Sequence, residues 1–196
     1  MNDSLIKNKK ILSATLIKEL ENVNWENIIP ENLILNCNQK ILNENKWLAN
    51  DKLELLNFFL KDIDDQVILK ISNEFLNETE LSILEKLKEL IIIKCEFHQS
   101  HKIGFQSLKK EFFFNPLILF NFINSFQYLT NQSLIIFGDH EKDFKKIIRK
   151  NSISIIFLNI FLKWLSSEKE DLSSIMKITD EHLNNAREAG NFFGII

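Results

Sequence analysis

Catalytic chemistry in this chain would have to come from few side chains. There are four histidines and two cysteines in 196 residues. Three of these six fall together in Cys95-Glu-Phe-His98-Gln-Ser-His101. Residues three apart on a helix share a face, so Cys95 and His98 can meet one metal ion. A structural zinc site wants four ligands, and His140 would have to be recruited from far along the chain. The simpler reading is a buried thiol and two imidazoles at a helix C-terminus, where the helix dipole favours a positive ring. Four scattered histidines define no Ser-His-Asp or Cys-His pairing. There is no glycine-rich phosphate loop, and Asp64-Asp65 reads as a solvated turn. Lys145, Lys146, Arg149 and Lys150 form a basic run that suits solvent, an acidic partner or lipid headgroups. The expectation is a non-enzyme, with no metal and no cofactor.

Whatever these residues do, helices must position them. Hydrophobic residues make up 45%, while Gly 4 and Pro 2 are too few for a many-turned β protein. The length suits one domain with a sizeable core. A net charge of -3 gives no electrostatic case for nucleic acid. Two cysteines make no disulfide framework. The N-terminal stretch does not read as a secretory leader, because Lys18 and Glu19 interrupt its apolar pattern. No run is long and apolar enough to cross a bilayer.

The periodicity predicts nine or ten helices and no strand. Leu5 to Leu20 is amphipathic. Pro30 starts a second helix, and Asn50-Asp51 begins another through Leu53 to Leu60. Gln66 to Leu76 reads as a separate short helix. Thr79 is the expected cap of a helix from Glu80 to Phe97, and Gly104 is its expected breaker. Asn115-Pro116 is a strong restart. After a turn at Gly138-Asp139, a long helix runs to Leu165 with two apolar arcs. One holds Phe144, Ile148, Ile155, Leu158, Leu162 and Leu165, and the other Ile153, Ile156, Phe157, Ile160, Phe161 and Trp164. Leu172 to Arg187 makes the last helix. Residues 1–62 form a head that resembles a helix-turn-helix, and 63–196 a ligand-binding and dimerisation unit. The DNA-reading version of such a head needs a basic second helix. Between Ile34 and Trp47 the cations are Lys40 and Lys46, so nucleic acid is not an expected partner.

An apolar excess without catalytic groups is what a lipid cavity looks like, and also what a filled core looks like. Phe122 and Phe126 are one turn apart on the helix after Pro116. Ile148, Ile155 and Leu158 align on the long helix. These five are the expected cavity walls. The tail, Phe192, Phe193, Ile195 and Ile196, is apolar enough to touch a bilayer interface.

From Gly138 onward, GD-x-x-x-DF, the pair Arg149-Lys150 and the later Trp164-Leu165 resemble the ubiquinone-biosynthesis accessory lipid-binding proteins, a family similar in fold to TetR-type repressors. Asp139, Asp143 and Phe144 match its pattern, and Asp180 stands where the acid of its last motif would be. Pro116 and the opening ILSATL with a later Asn-Trp also match. The family's Trp-Tyr pair is Lys146-Ile147 here, and its Arg-Arg is Glu181-His182. The resemblance implies an all-α, TetR-like homodimer with a degenerate helix-turn-helix head. It implies binding of an isoprenoid lipid or quinone intermediate, presented at the membrane surface to the pathway's di-iron hydroxylase. The hydroxylase contact would be Phe114, Pro116, Leu117, Leu119, Lys146 and Ile147. The implied location is cytoplasmic and peripheral to the inner membrane, or on the matrix side of a mitochondrion. A TetR-like transcriptional regulator with a hydrophobic effector pocket, and a purely structural adaptor, are the alternatives.

Overall fold

The computed structural model describes residues 3–37, 41, 43–75, 78–139, 143–167 and 172–192. Among them there are eight α-helices, three short 3-10 segments and no strand. The helices are α1 (Asp3–Glu19), α2 (Pro30–Leu35), α3 (Lys52–Phe75), α4 (Ile83–His98), α5 (Lys102–Glu111), α6 (Pro116–Ile136), α7 (Asp143–Ser166) and α8 (Leu172–Phe192). The expected nine or ten is therefore corrected to eight. One cause is α3, which runs unbroken where two short helices were expected. No glycine or proline interrupts it, and Leu55, Leu56, Phe59, Ile63, Val67 and Ile71 keep a helical spacing of buried positions across the whole length.

Local sequence explains most of the ends. Pro30 and Pro116 occupy first-turn positions, where a missing N–H costs nothing. α4 is capped by Ser82 rather than Thr79. The Ser82 hydroxyl accepts from the Glu85 amide, and the Glu85 carboxylate accepts from the Ser82 amide at 2.8 Å. This is a capping box, and the exposed Glu85 carboxyl is held below its ordinary range first by the Ser82 hydroxyl, which donates to it at 2.7 Å, and then by the Ser82 amide. Gly138 takes φ 77° and ends α6, which delivers Asp139 to a turn where its amide bonds the Leu134 carbonyl.

The chain divides into two compact units. The first is Met1–Asp62 with Ser100–Phe122, and the second is Ile63–Gln99 with Ile123–Ile196. The division falls inside α3 and α6. In the first unit α1 packs against α2, α5 and the 3-10 stretch Asn43–Asn50. Its core includes Leu12, Leu16, Ile17, Leu48, Leu55 and an aromatic chain in which Phe105 meets Phe59 and Phe122 at 6.0 and 5.6 Å. In the second unit α4, α7 and α8 pack on one another.

Gly104 lies inside α5 and does not break the preceding helix. Its role is proximity. A Cβ at this position would sit inside the contact distance of the Ile17 carbonyl oxygen on α1, which is backbone and cannot swing aside. Gly104→Ala should therefore force α1 and α5 apart and cost about 1–3 kcal/mol, as overpacking does. Urea unfolding measures it; an unchanged midpoint would mean that α1 and α5 do not meet this closely.

Candidate functional site

α7 is apolar on two sides, and the structure treats the two sides differently. Ile153, Phe157, Ile160, Phe161, Trp164 and Leu165 are buried. Phe161 sits at the middle of that face: its ring is 5.5 Å from Phe126, 5.3 Å from His98 and 5.3 Å from Trp164. Leu165, expected on the other arc, is thus drawn into the buried face and Ile156 is only half-buried, while the rest of that other arc that the structure describes is exposed or half-buried. Ile155 is 66% exposed and Ile147 58%. Ile148, Leu158 and Leu162 are half-buried. At 100° per residue these five span roughly one quarter of the helix circumference, an apolar stripe with the half-buried Asn151 between them. Phe144 belongs to the same expected arc, but its side chain lies outside the described residues.

The five expected cavity residues are thus not alike. Phe122 is buried in the first unit, with Phe105 and Phe112 at 5.6 and 5.3 Å. Phe126 is buried in the second, against Phe161 and under the Lys94 ammonium at 4.5 Å. Both rings are enclosed by side chains of their own unit. Ile148, Ile155 and Leu158 do line one helix face together, and that face looks outward.

A second apolar surface lies at the turn between α5 and α6. Phe113 is 95% exposed, Phe114 81% and Leu117 and Phe120 57% each. Pro116 is exposed and Leu119 half-buried. Four of the six expected partner residues, Phe114, Pro116, Leu117 and Leu119, therefore sit together on or beside one patch. Ile147 belongs to the second unit, and the Lys146 side chain lies outside the described residues, as do residues 193–196 and the side chain of Phe192 in the expected bilayer tail.

The motif residues around Gly138 have structural work. The Arg149 guanidinium reaches the buried Asp139 carboxylate at 3.3 Å, which ties the start of α7 to the end of α6. Asp180 on α8 pairs with Lys88 on α4 at 2.6 Å. His98 is buried, and His101 belongs to the first unit, edge-on to Phe59 at 5.1 Å, with burial pushing its pKa down. Among the described residues no three of His, Cys, Asp and Glu are placed to hold a metal ion. His140 lies outside them.

Asp64 corrects the expectation of a solvated pair. It is fully buried in the second unit and ion-paired with Lys94 of α4. Ser125 of α6 closes the triangle: its hydroxyl donates to Asp64 at 2.6 Å, and the Lys94 ammonium donates to the Ser125 oxygen at 3.0 Å. Desolvation pushes the Asp64 carboxyl above its ordinary value, opposed by Lys94 and Ser125. Asp65 instead accepts from the Tyr128 hydroxyl at 2.7 Å. Sequence reasoning missed this cluster because Asp64 and Lys94 are 30 residues apart. One signal was available: Lys94 shares the apolar face of α4 with Leu87, Leu90 and Ile91. Ser125 is buried with them, as the third member of the triangle.

The segment from Ile34 to Trp47, weighed as the second helix of the expected head, ends in the 3-10 stretch Asn43–Asn50. Its exposed side chains are Asn43, Glu44, Lys46, Trp47 and Asn50, a single cation offset by one acid. Lys40 lies outside the described residues.

No protein-family model matches the chain, and neither does a curated protein sequence. A solved structure, a TetR transcriptional regulator from Nitrosomonas europaea, matches over 91% of this chain and 97% of its own, with a TM-score of 0.63 and 15% identity. The fold is TetR-like.

Lys94→Met alone would strand the Asp64 carboxylate in the core and should cost about 3–5 kcal/mol. Adding Asp64→Asn removes the charge, keeps a partner for Ser125 and should recover most of that loss. Denaturant unfolding of the two variants measures both; equal stability of the single and double variants would mean that the pair is not buried.

Proposed function

We propose that the protein is a non-enzymatic, homodimeric binding protein, an accessory of ubiquinone biosynthesis that carries an isoprenoid quinone intermediate. The observation that carries this reading is the outward apolar stripe of α7. An Ile or Leu side chain gains roughly 1.5–3 kcal/mol on full burial, so a stripe of this kind favours a cover. A second copy of α7 and α8 covers part of it in this reading, and the isoprenoid chain lies along Ile148, Ile155 and Leu158. Binding needs no catalytic group. The exposed Phe114-Pro116-Leu117-Leu119 patch then receives the pathway's di-iron hydroxylase at the membrane surface, and Phe192, Phe193, Ile195 and Ile196 help to hold the protein there. The location is cytoplasmic at the inner membrane, or the matrix side of a mitochondrion.

The second reading is a TetR-like transcriptional regulator with an apolar effector. The likeness to the Nitrosomonas europaea regulator favours it. Against it stands the 3-10 stretch Asn43–Asn50, whose one exposed cation supplies little phosphate neutralisation.

Native mass spectrometry separates the readings in one sample, with the extracted lipid identified separately. The accessory reading predicts a dimer that releases an isoprenoid quinone or its precursor, and no mass shift on adding duplex DNA. A dimer that binds duplex DNA with steep salt dependence would replace it with the regulator. A ligand-free monomer would sink both.

A further inference from the structure

The first unit contains a cleft of about 580 Å³ that the foregoing function does not use. One wall is a single line of α1. Lys7, Ile11, Ala14 and Lys18 are spaced four, three and four residues apart, so they fall on one stripe of the helix. Lys10 and Thr15 flank that stripe. The facing wall is Asn36 at the end of α2 and Ser100 with His101 before α5, and Glu21 lies at the Lys18 end. Ala14 makes the room: it is the smallest residue on the stripe, set between larger ones.

The charges in this cleft are unbalanced. It has three lysines and one glutamate. Lys10 is already matched, by the Asp62 carboxylate at 2.9 Å. Among the described residues Lys7 and Lys18 make no ion pair. They stand about 16 Å apart along the helix at roughly 1.5 Å per residue, with the apolar Ile11 and Ala14 between them. Thr15 and Asn36 are held in place by bonds of their own. The Thr15 hydroxyl donates to the Ile11 carbonyl at 2.9 Å, and the Asn36 amide donates to Glu19 at 2.9 Å. Gly104 fixes α5 against α1, which keeps the two walls at a set distance.

We propose that this cleft binds an elongated organic anion, with its carboxylate or phosphate on Lys7 or Lys18 and its apolar body over Ile11 and Ala14. The site is separate from the α7 stripe and does not rest on the quinone reading. Cations at the ends with an apolar centre select against both inorganic phosphate, which leaves the centre uncovered, and a neutral chain, which leaves the lysines unmatched. The protein takes charged amphiphiles here, whatever it carries elsewhere.

The test is calorimetric titration of the full chain with decanoate, decyl phosphate and decanol. Both anions should bind, at least tenfold more tightly than decanol, and their ratio tells a carboxylate ligand from a phosphate one. Lys7→Glu with Lys18→Glu, both exposed, should weaken the anions at least tenfold. Ala14→Phe should fill the cleft and abolish binding with the helical circular dichroism unchanged. Leu69→Asp, at an exposed position of α3 in the second unit, should leave binding as it is. No heat with either anion, equal affinity for decanol, or unaltered binding in the double-lysine variant would overturn the proposal. That last variant decides the matter even if Ala14→Phe fails to fold.

Discussion

α7 must satisfy two apolar demands with one helix. Its inner face, centred on Phe161 and Trp164, completes the core of the second unit. Its outer face, centred on Ile155, has no such role within its unit. A surface helix needs only one apolar face, and solvent ordinarily selects charge on the other. Here the charged Lys163 and Arg149 lie off the stripe, and Arg149 turns to Asp139. The fold around α7 is arranged to keep it in place: Arg149 bonds Asp139 at one end, and the ring contacts of Phe161 and Trp164 hold the other. The proposed binding rests on this stripe.

The buried Lys94–Asp64–Ser125 triangle belongs to the same logic of position. An ion pair in a core seldom adds net stability over a well-packed apolar substitute. It does restrict geometry, because α3, α4 and α6 must meet at one register for all three polar groups to be matched. In the first unit α1, α2 and the 3-10 stretch Asn43–Asn50 pack on one another, and that stretch exposes one cation. Frame and function can part in this way because the frame depends on buried residues such as Leu12, Leu16 and Leu48, and DNA reading depends on exposed ones.

Much of the fold was legible in sequence where a signal is local. Pro30 and Pro116 mark helix starts, Gly138 marks a stop, and the two arcs of α7 are plain from spacing. The unbroken α3 was not, since the polar Lys61, Asp62, Asp64 and Asp65 looked like a turn, and the burial of Asp64 with Ile63 and Val67 shows them to be part of one helix. The cap of α4 was misassigned to Thr79 although Ser82-Ile-Leu-Glu85 spells a capping box. Which arc of α7 would be buried could not be read at all, because both are equally apolar and the choice is made by what α4 and α8 present to it. The α1 cleft was invisible for a related reason: Lys7 and Lys18 look like ordinary solvated lysines until Asn36 and His101 are seen across from them.

The central claim is that the outer face of α7 is covered in solution by a second copy or an apolar ligand. The most direct measurement is the labelling rate of a thiol at Ile155→Cys by a maleimide, with Cys37 and Cys95 replaced by serine and alanine. The account predicts slow labelling in the protein as purified, rising severalfold after lipid extraction and dilution. Labelling at the rate of a free thiol under all conditions would contradict it, because the stripe would then face water throughout.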